Sequence, residues 1–172
     1  IVTTAMPMEK MDDIIARLKE TIAIDNRAYW ICPLIEESDV LDIAAAEDRF
    51  THLATALPEC KPVLVHGRMK SDEREAAMEQ FRTGEAQLLV ATTVIEVGVD
   101  IPEASIMIIE SAERFGLAQL HQLRGRVGRG AEKSSCVLLY NAPISEMAKS
   151  RLSIMRETND GFRIAGEDLR LR

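Results

Sequence analysis

The sequence contains no CxxC pair and no HExxH, and only three cysteines and three histidines among 172 residues. Cys32, Cys60 and Cys136 are odd in number and widely spaced, which argues against a disulfide framework and against a zinc site. Each lies beside an apolar stretch and reads as a small buried hydrophobe. His52, His66 and His121 are scattered, so no metal site is expected. No apolar run approaches the ~20 residues that cross a bilayer. The first ten residues lack a basic stretch leading into an apolar one, so no signal peptide is read. A reducing cytoplasm is the compartment this cysteine usage suits. Internal repeats and low-complexity linkers are missing too. The chain opens on Ile1 and not on methionine, which reads as a piece of something longer. The phosphate loop GxxxxGKS or GxxxxGKT is absent: Gly130 to Ser134 (GAEKS) has a Lys-Ser pair but neither the spacing nor the second glycine. Gly125, Gly128 and Gly130 run GxxGxG, so the dinucleotide fingerprint GxGxxG fails as well. No acidic pair of the Walker B kind follows an apolar strand.

What is present suits one domain: 47% hydrophobic and 28% charged residues, with a length inside the ~100–200 residues of a typical domain. The net charge of −7 speaks against a nucleic-acid binder at first sight. That charge is unevenly placed. Residues 1–60 hold 5 basic and 12 acidic side chains, whereas residues 61–172 hold 16 of each. From Arg114 to Lys133 there are five basic residues (Arg114, Arg124, Arg126, Arg129, Lys133) against the single acid Glu132. A local basic surface is compatible with this balance, and phosphate contacts depend on local fields.

Short apolar runs alternate with helical patterns. Strands are predicted at Ile1–Ala5, Ala28–Cys32, Val63–Val65, Leu88–Ala91, Ile106–Ile109 and Cys136–Tyr140. Met8, Met11, Ile14, Ile15, Leu18 and Ile22 recur at three- and four-residue steps and predict an amphipathic helix. Further helices are predicted at Leu41–Leu57, Ser71–Phe81, Gly116–Arg126 and Ser145–Arg156, with another over Phe162–Leu169. Asp72 and Glu75 offer the third of these helices a capping box, and Gly84 lies just past its end. The strands are continuously apolar, the pattern of parallel strands covered on both faces. Strand–helix alternation repeated this often implies a three-layer, doubly wound, mostly parallel α/β sheet. In such a sheet the functional loops lie at the carboxyl ends of the strands.

Three stretches carry chemistry. In QLHQLRGRVGRG (119–130), treated as a helix, Gln122, Arg126 and Arg129 fall at i, i+4 and i+7 and share a face. Leu117, Leu120, Leu123 and Val127 point the other way. Arg124 lies nearer the apolar side and does not fit. Two planar, permanently charged forks with an amide one turn before them suit a phosphate group. Gly125 and Gly128 permit close approach of a backbone or ligand. The plainer alternative is a solvated, Arg/Gly-rich patch, which the ordered apolar face disfavours. In LLVATTVIEVGVDIP (88–102), Thr92 and Thr93 follow a buried strand and suit a nucleic-acid phosphate, and Asp100 suits a ribose hydroxyl; an ordinary strand end is the alternative. His66-Gly67-Arg68-Met69 follows another strand and offers an amide, an imidazole and a guanidinium, though alone it reads as a surface loop. Arginines poised for a phosphate, without the loop that holds it, suggest half of a composite site completed by a partner domain.

Read together, HGRM (66–69), Arg74, Phe81, Gly84, LLVATTVIEVGVDIP (88–102) and QLRGRVGRG (122–130) resemble, in order and spacing, the C-terminal RecA-like domain of superfamily 2 helicases. AYWICPLIEES (28–38), MIIESAERFGLAQLHQLRGRVGRG (107–130) and the NDGF tail resemble more narrowly the RecG type of ATP-dependent DNA helicase. The resemblance covers nearly the whole chain. It implies a RecA-like helicase domain over residues 1–142, and over 143–172 a helical hairpin with the start of a translocation-coupling segment that breaks off at Arg172. It implies a motif V with Thr92 and Thr93 near the DNA backbone and Gly98 and Asp100 near ATP. It implies a motif VI with Gln122 near the nucleotide and Arg126 and Arg129 as arginine fingers on the γ-phosphate. His66, Gly67 and Arg68 would face DNA, and Arg170 and Arg172 would couple turnover to movement. ATP with Mg2+ would be held mainly by an upstream P-loop motor domain, and forked or branched DNA would be read with an upstream wedge domain. Gln122 and Thr93 depart from the histidine and aspartate of the DEAD-box motifs, which favours a DNA translocase over an RNA helicase. The alternatives are the motor domain of a transcription–repair coupling translocase and a non-catalytic α/β binding module.

Overall fold

The computed structural model describes residues 2–22, 26–33, 39–92, 104–127 and 134–158, together with Ile164 and Gly166. Six strands form one sheet: β1 (Val2–Pro7), β2 (Arg27–Cys32), β3 (Val63–Val65), β4 (Leu88–Thr92), β5 (Ala104–Ile109) and β6 (Ser135–Tyr140). Their order is β1-β6-β5-β2-β4-β3, and every neighbouring pair is parallel. Five helices cover it: α1 (Met11–Ile22), α2 (Asp39–Ala56), α3 (Ser71–Thr83), α4 (Leu117–Arg124) and α5 (Glu146–Glu157). The six predicted strands and the first five predicted helices are found, with ends shifted by a few residues. The doubly wound α/β architecture is the observed one. Of the helix predicted over Phe162–Leu169, only Ile164 and Gly166 are described, both helical.

The two faces of the sheet are filled by different helices, which is why its central strands carry no polar alternation. On one face, Met11, Ile14, Ile15, Leu18 and Ile22 of α1 pack with Ala46 and Leu53 of α2 over Trp30, Cys32, Leu88, Val90 and Ile108. On the other, Phe81 of α3, Leu117 and Leu120 of α4, and Leu152 and Met155 of α5 pack over Tyr29, Ile31, Leu89, Met107 and Ile109. Tyr29 and Phe81 meet edge to face with centroids 5.1 Å apart.

Helix ends follow local chemistry, with one correction. Ser145 caps α5, its side chain accepting from the Ala148 amide at 3.0 Å. Gly84 ends α3 in the left-handed region at φ 88°, where a Cβ is strained. The capping box read from Asp72 and Glu75 does not form. The N-cap is Lys70 without a side-chain bond, and the Asp72 carboxylate accepts from the adjacent Glu73 amide at 3.0 Å. The helix starts two residues too early for Asp72 to cap it.

The three cysteines are free and buried, as read from the sequence. Burial holds the Cys60 thiol up at about 11 and the Cys136 thiol at about 12, and pushes Cys32 up as well. The unfolded chain would ionise these thiols near pH 8.5 while the folded chain keeps them protonated. Above that pH the folded state binds more protons, so stability falls as pH rises toward the folded values. The slope is ~1.4 kcal/mol per pH unit for each thiol. A melting series from pH 8 to 10.5 is expected to show this decline, and Cys136→Ala is expected to reduce its slope by about a third. A flat series in the wild type would show that the thiols ionise without unfolding.

Candidate functional site

Parallel strands bring the carboxyl ends of β2, β3, β4, β5 and β6 to one edge of the sheet. His66, Gly67, Arg68 and Thr92 lie there, whereas α4 runs back along the sheet and brings Arg124 to Thr3, near the start of β1. His66, Gly67 and Arg68 leave β3. The His66 Nδ1 faces the Arg68 amide at 3.2 Å and accepts its proton, the His66 amide donates to the Met69 sulfur at 3.4 Å, and the Met69 amide donates to the His66 carbonyl at 3.3 Å. Nδ1 is thereby the acceptor and Nε2 carries the proton. Gly67 and Arg68 are exposed and His66 is half-buried. Thr92 ends β4 opposite Cys32 of β2, is buried, and its hydroxyl finds no hydrogen-bond partner among the described residues. Thr93, Gly98 and Asp100 lie outside the described residues, as do Arg129, Arg170 and Arg172.

Helix α4 is launched from the end of β5 through a 3-10 turn, Ala112–Arg114, with Gly116 as N-cap. Leu117, Leu120 and Val127 are buried and Leu123 packs against the same core, so the apolar stripe predicted for this helix is present. Gln122 is exposed on the opposite side and Arg126 is half-buried. The helix is shorter than its spacing suggests. It stops at Arg124, and the next bonds are i to i−3, from the Arg126 amide to the Leu123 carbonyl at 3.0 Å and from the Val127 amide to the Arg124 carbonyl at 3.2 Å. Arg126 therefore sits on a tightened turn beyond the helix, not on a continuous helical face with Gln122. Glycine at 125, with its low helix propensity, explains the stop. Among the described residues a Cβ there would meet only the Gln122 and His121 carbonyls, at 3.4 and 3.5 Å, so no other described element uses it for a close approach. Gly128 lies outside the described residues.

Arg124, the misfit of the sequence pattern, is a structural residue. The residue is 2% exposed, and its guanidinium donates to the Met155 carbonyl at 2.6 Å and to the Thr3 hydroxyl at 3.3 Å. Burial lowers its pKa from the usual arginine value, but a guanidinium stays charged in a protein. A second arginine ties α5 to the same region, Arg151 donating to the Glu113 carbonyl at 3.1 Å.

Two groups at this edge were not read from the sequence. The Glu110 carboxylate accepts from the Trp30 indole at 2.7 Å and from Arg49 of α2. Asn141 donates through its side chain to Ser111 and Glu113. Their partners are distant in sequence, so spacing held no signal for them; a lone acid directly after an apolar strand was the one hint at Glu110. A cleft of about 330 Å³ opens beside Glu110, lined by Cys32, Leu41, Asp42 and Ser111 among others.

Chemically, N–H donors are offered by the imidazole of His66 after β3, the amide of Gln122 on α4 and the guanidinium of Arg126 beyond it. Arginine has no acceptor atom, so this donor set fits phosphate oxygens and not a divalent cation.

Residues 8–131 match the family described as the helicase conserved C-terminal domain. The chain is 57% identical over 173 residues to the ATP-dependent DNA helicase RecG of Escherichia coli strain K12, covering all of this chain and 25% of that protein. It is 55% identical over 170 residues to RecG of Acidithiobacillus ferridurans, covering 99% of this chain and 25% of the relative. Among solved structures, RecG bound to a three-way DNA junction superposes with a TM-score of 0.85 at 38% identity, over 100% of this chain and 22% of that one. The yeast DEAD-box splicing factor Prp28 matches with a TM-score of 0.71 at 21% identity over 92% of this chain and 33% of its own, a likeness of fold alone. The chain spans about a quarter of the length of the curated relatives it matches. With its parallel sheet and these matches, the chain belongs to the helicase conserved C-terminal domain family, and RecG helicases are among the relatives it is similar to.

Proposed function

We propose that this chain is the second motor domain of an ATP-dependent DNA helicase that remodels forks and branched DNA in recombination and repair. The observation that carries this reading is a pair of N–H donor groups, Gln122 on the exposed side of α4 and Arg126 on the turn just beyond it, in a chain whose sequence holds no phosphate loop. Such a domain completes a nucleotide site held chiefly by another one. Mg2+ and the β- and γ-phosphates of ATP would rest on that P-loop domain, and Arg126 and Arg129 would offset the charge that develops on the transferred phosphoryl group. Gln122, Gly98 and Asp100 would contact the nucleotide.

His66, Gly67, Arg68, Thr92 and Thr93 would grip the DNA backbone. The His66 tautomer supports this, because Nε2–H is left to donate while Nδ1 is occupied within its own loop. Residues 143–172 would carry turnover into movement. In support, α5 is fastened to α4 by Arg124 and to the preceding turn by Arg151. Arg170 and Arg172 are assigned to the same coupling from the resemblance. The three-way junction in the related RecG structure favours branched DNA as the substrate.

The 172-residue chain by itself is expected to hydrolyse no ATP above background. The full-length protein is expected to hydrolyse it with DNA stimulation, and His66→Phe in that protein is expected to raise the DNA concentration needed for half-maximal stimulation by roughly three- to tenfold, the loss of one charge-assisted or neutral hydrogen bond. Turnover by the isolated chain would refute the composite site. An unchanged DNA requirement in the variant would remove His66 from the interface.

A further inference from the structure

The chain changes faces of the sheet between β5 and α4. Ile108 packs on the α1/α2 face, and Glu110, two residues on, has its carboxylate on that same side. Ala112 and Phe115 already belong to the core of the opposite face. Between them Ser111 takes φ 51° and ψ 46°, a left-handed conformation that costs a residue with a Cβ. Such a turn persists only where its surroundings hold it.

Contacts grip it from both sides. The Glu110 amide continues the β2 pairing by donating to the Ile31 carbonyl at 3.0 Å. Its carboxylate, on a residue 8% exposed, accepts from the fully buried Trp30 indole at 2.7 Å and from Arg49 Nε of α2. Arg49 in turn lies 3.2 Å from His52 Nδ1. On the other side Asn141 donates to the Ser111 hydroxyl at 2.9 Å and to the Glu113 carboxylate at 3.1 Å, and the Asn141 amide donates to Glu113 at 3.0 Å. Charge-assisted bonds shielded from water are short and directional, which suits them to fixing geometry. Gly116 and α4 follow directly on this turn.

We propose that Glu110 is a positioning residue for α4: gripped by Trp30 of β2 and Arg49 of α2, it sets the turn from which α4 starts and thereby the reach of Arg126 toward a bound nucleotide. The inference rests on the assignment of Arg126 to the nucleotide site. It makes α2, on the far face of the sheet, part of the support for that arginine.

The test uses the full-length protein with Glu110→Gln, Arg49→Gln, the two combined, and Arg126→Ala. Glutamine at 110 keeps the shape and still accepts from Trp30, but loses the charge that holds Arg49. Each glutamine variant is expected to lower kcat for DNA-stimulated ATP hydrolysis by roughly ten- to a hundredfold through misplacement, at unchanged KM for ATP and unchanged affinity for DNA. The double variant is expected to fall no further than the worse single one, because both act through one contact. A KM that rises while kcat holds, or a kcat within twofold of wild type in folded variants, would overturn the proposal and make Glu110 and Arg49 a stabilising pair only. Should Glu110→Gln fail to fold, Arg49→Gln decides alone, since it leaves the Trp30 bond in place. Turnover that survives Arg126→Ala would overturn the nucleotide assignment itself and Glu110's role with it. Collapse in Arg126→Ala with unchanged glutamine variants would overturn the positioning role only.

Discussion

Replacing Arg126 with alanine in the full-length protein is expected to cut DNA-stimulated ATP turnover by ~10³-fold or more. Affinity for DNA and for a non-hydrolysable ATP analogue should change little. The expectation follows from where the residue sits and what it is. Arg126 lies one step past the stop of α4 at Gly125, on a turn whose tight i to i−3 bonds fix its backbone. Its fork is planar and permanently charged, and no proton equilibrium dilutes it. A guanidinium that meets charge only as it develops in the transition state lowers kcat and kcat/KM equally when removed. Arg126→Lys should recover only a small part of the loss, because an ammonium lacks the bidentate fork. Arg129→Ala is expected to behave as Arg126→Ala does, on its place in the sequence alone. Turnover within tenfold of wild type in Arg126→Ala would contradict the assignment.

The second large effect is on stability, and it falls on the neighbouring arginine. Arg124→Ala is expected to cost ~3–5 kcal/mol, out of the ~5–15 kcal/mol that hold a domain together. The guanidinium joins three elements: α4, which carries it, α5 through the Met155 carbonyl, and β1 through Thr3. Truncation empties a buried volume and leaves the Met155 carbonyl without its donor, and the two penalties add. For a domain of this size the melting temperature would fall by about 10 °C. Arg124→Met separates the two contributions. It fills most of the volume and removes a charge that burial already disfavours, so it should cost much less than alanine. Arg126→Ala, on a half-buried residue, should leave the melting temperature within a few degrees. Denaturant melts of the three variants decide this, and an Arg124→Ala loss below ~1 kcal/mol would show that α5 is held by other contacts.

The contrast between these two arginines shows where sequence reasoning worked. The 3.6-residue stripe of α1 and the uninterrupted apolar strands translate directly into burial, so the layered parallel sheet was legible from pattern alone. Leu117, Leu120 and Val127 were legible in the same way. The end of α4 was not, because positions 122, 126 and 129 fit helical spacing whether or not the helix continues. What stops it is the local cost of glycine at 125, which periodicity does not register. Arg124 announced itself only as a residue that fitted neither face. Its partners, Thr3 and Met155, lie 121 and 31 residues away. Glu110 gave less still, since Trp30 and Arg49 come to it from 80 and 61 residues away and only the strand order brings them there. Residues proposed to contact something outside the chain (His66, Gln122, Arg126) stood out by their motif and their chemistry. Those whose role is to hold the others in place were hidden until the fold brought them together.

The role proposed for this chain is to supply the second half of an ATP-driven motor acting on branched DNA. The most direct measurement is the rate of ATP hydrolysis by the full-length protein, wild type and Arg129→Ala, with a three-way junction, with linear duplex, with single strand and without DNA. Strong stimulation, greatest with the junction, is expected in the wild type, and its collapse in the variant under every condition. Hydrolysis indifferent both to DNA and to the arginine would contradict it, and would leave the α/β fold as a binding module without a motor's chemistry.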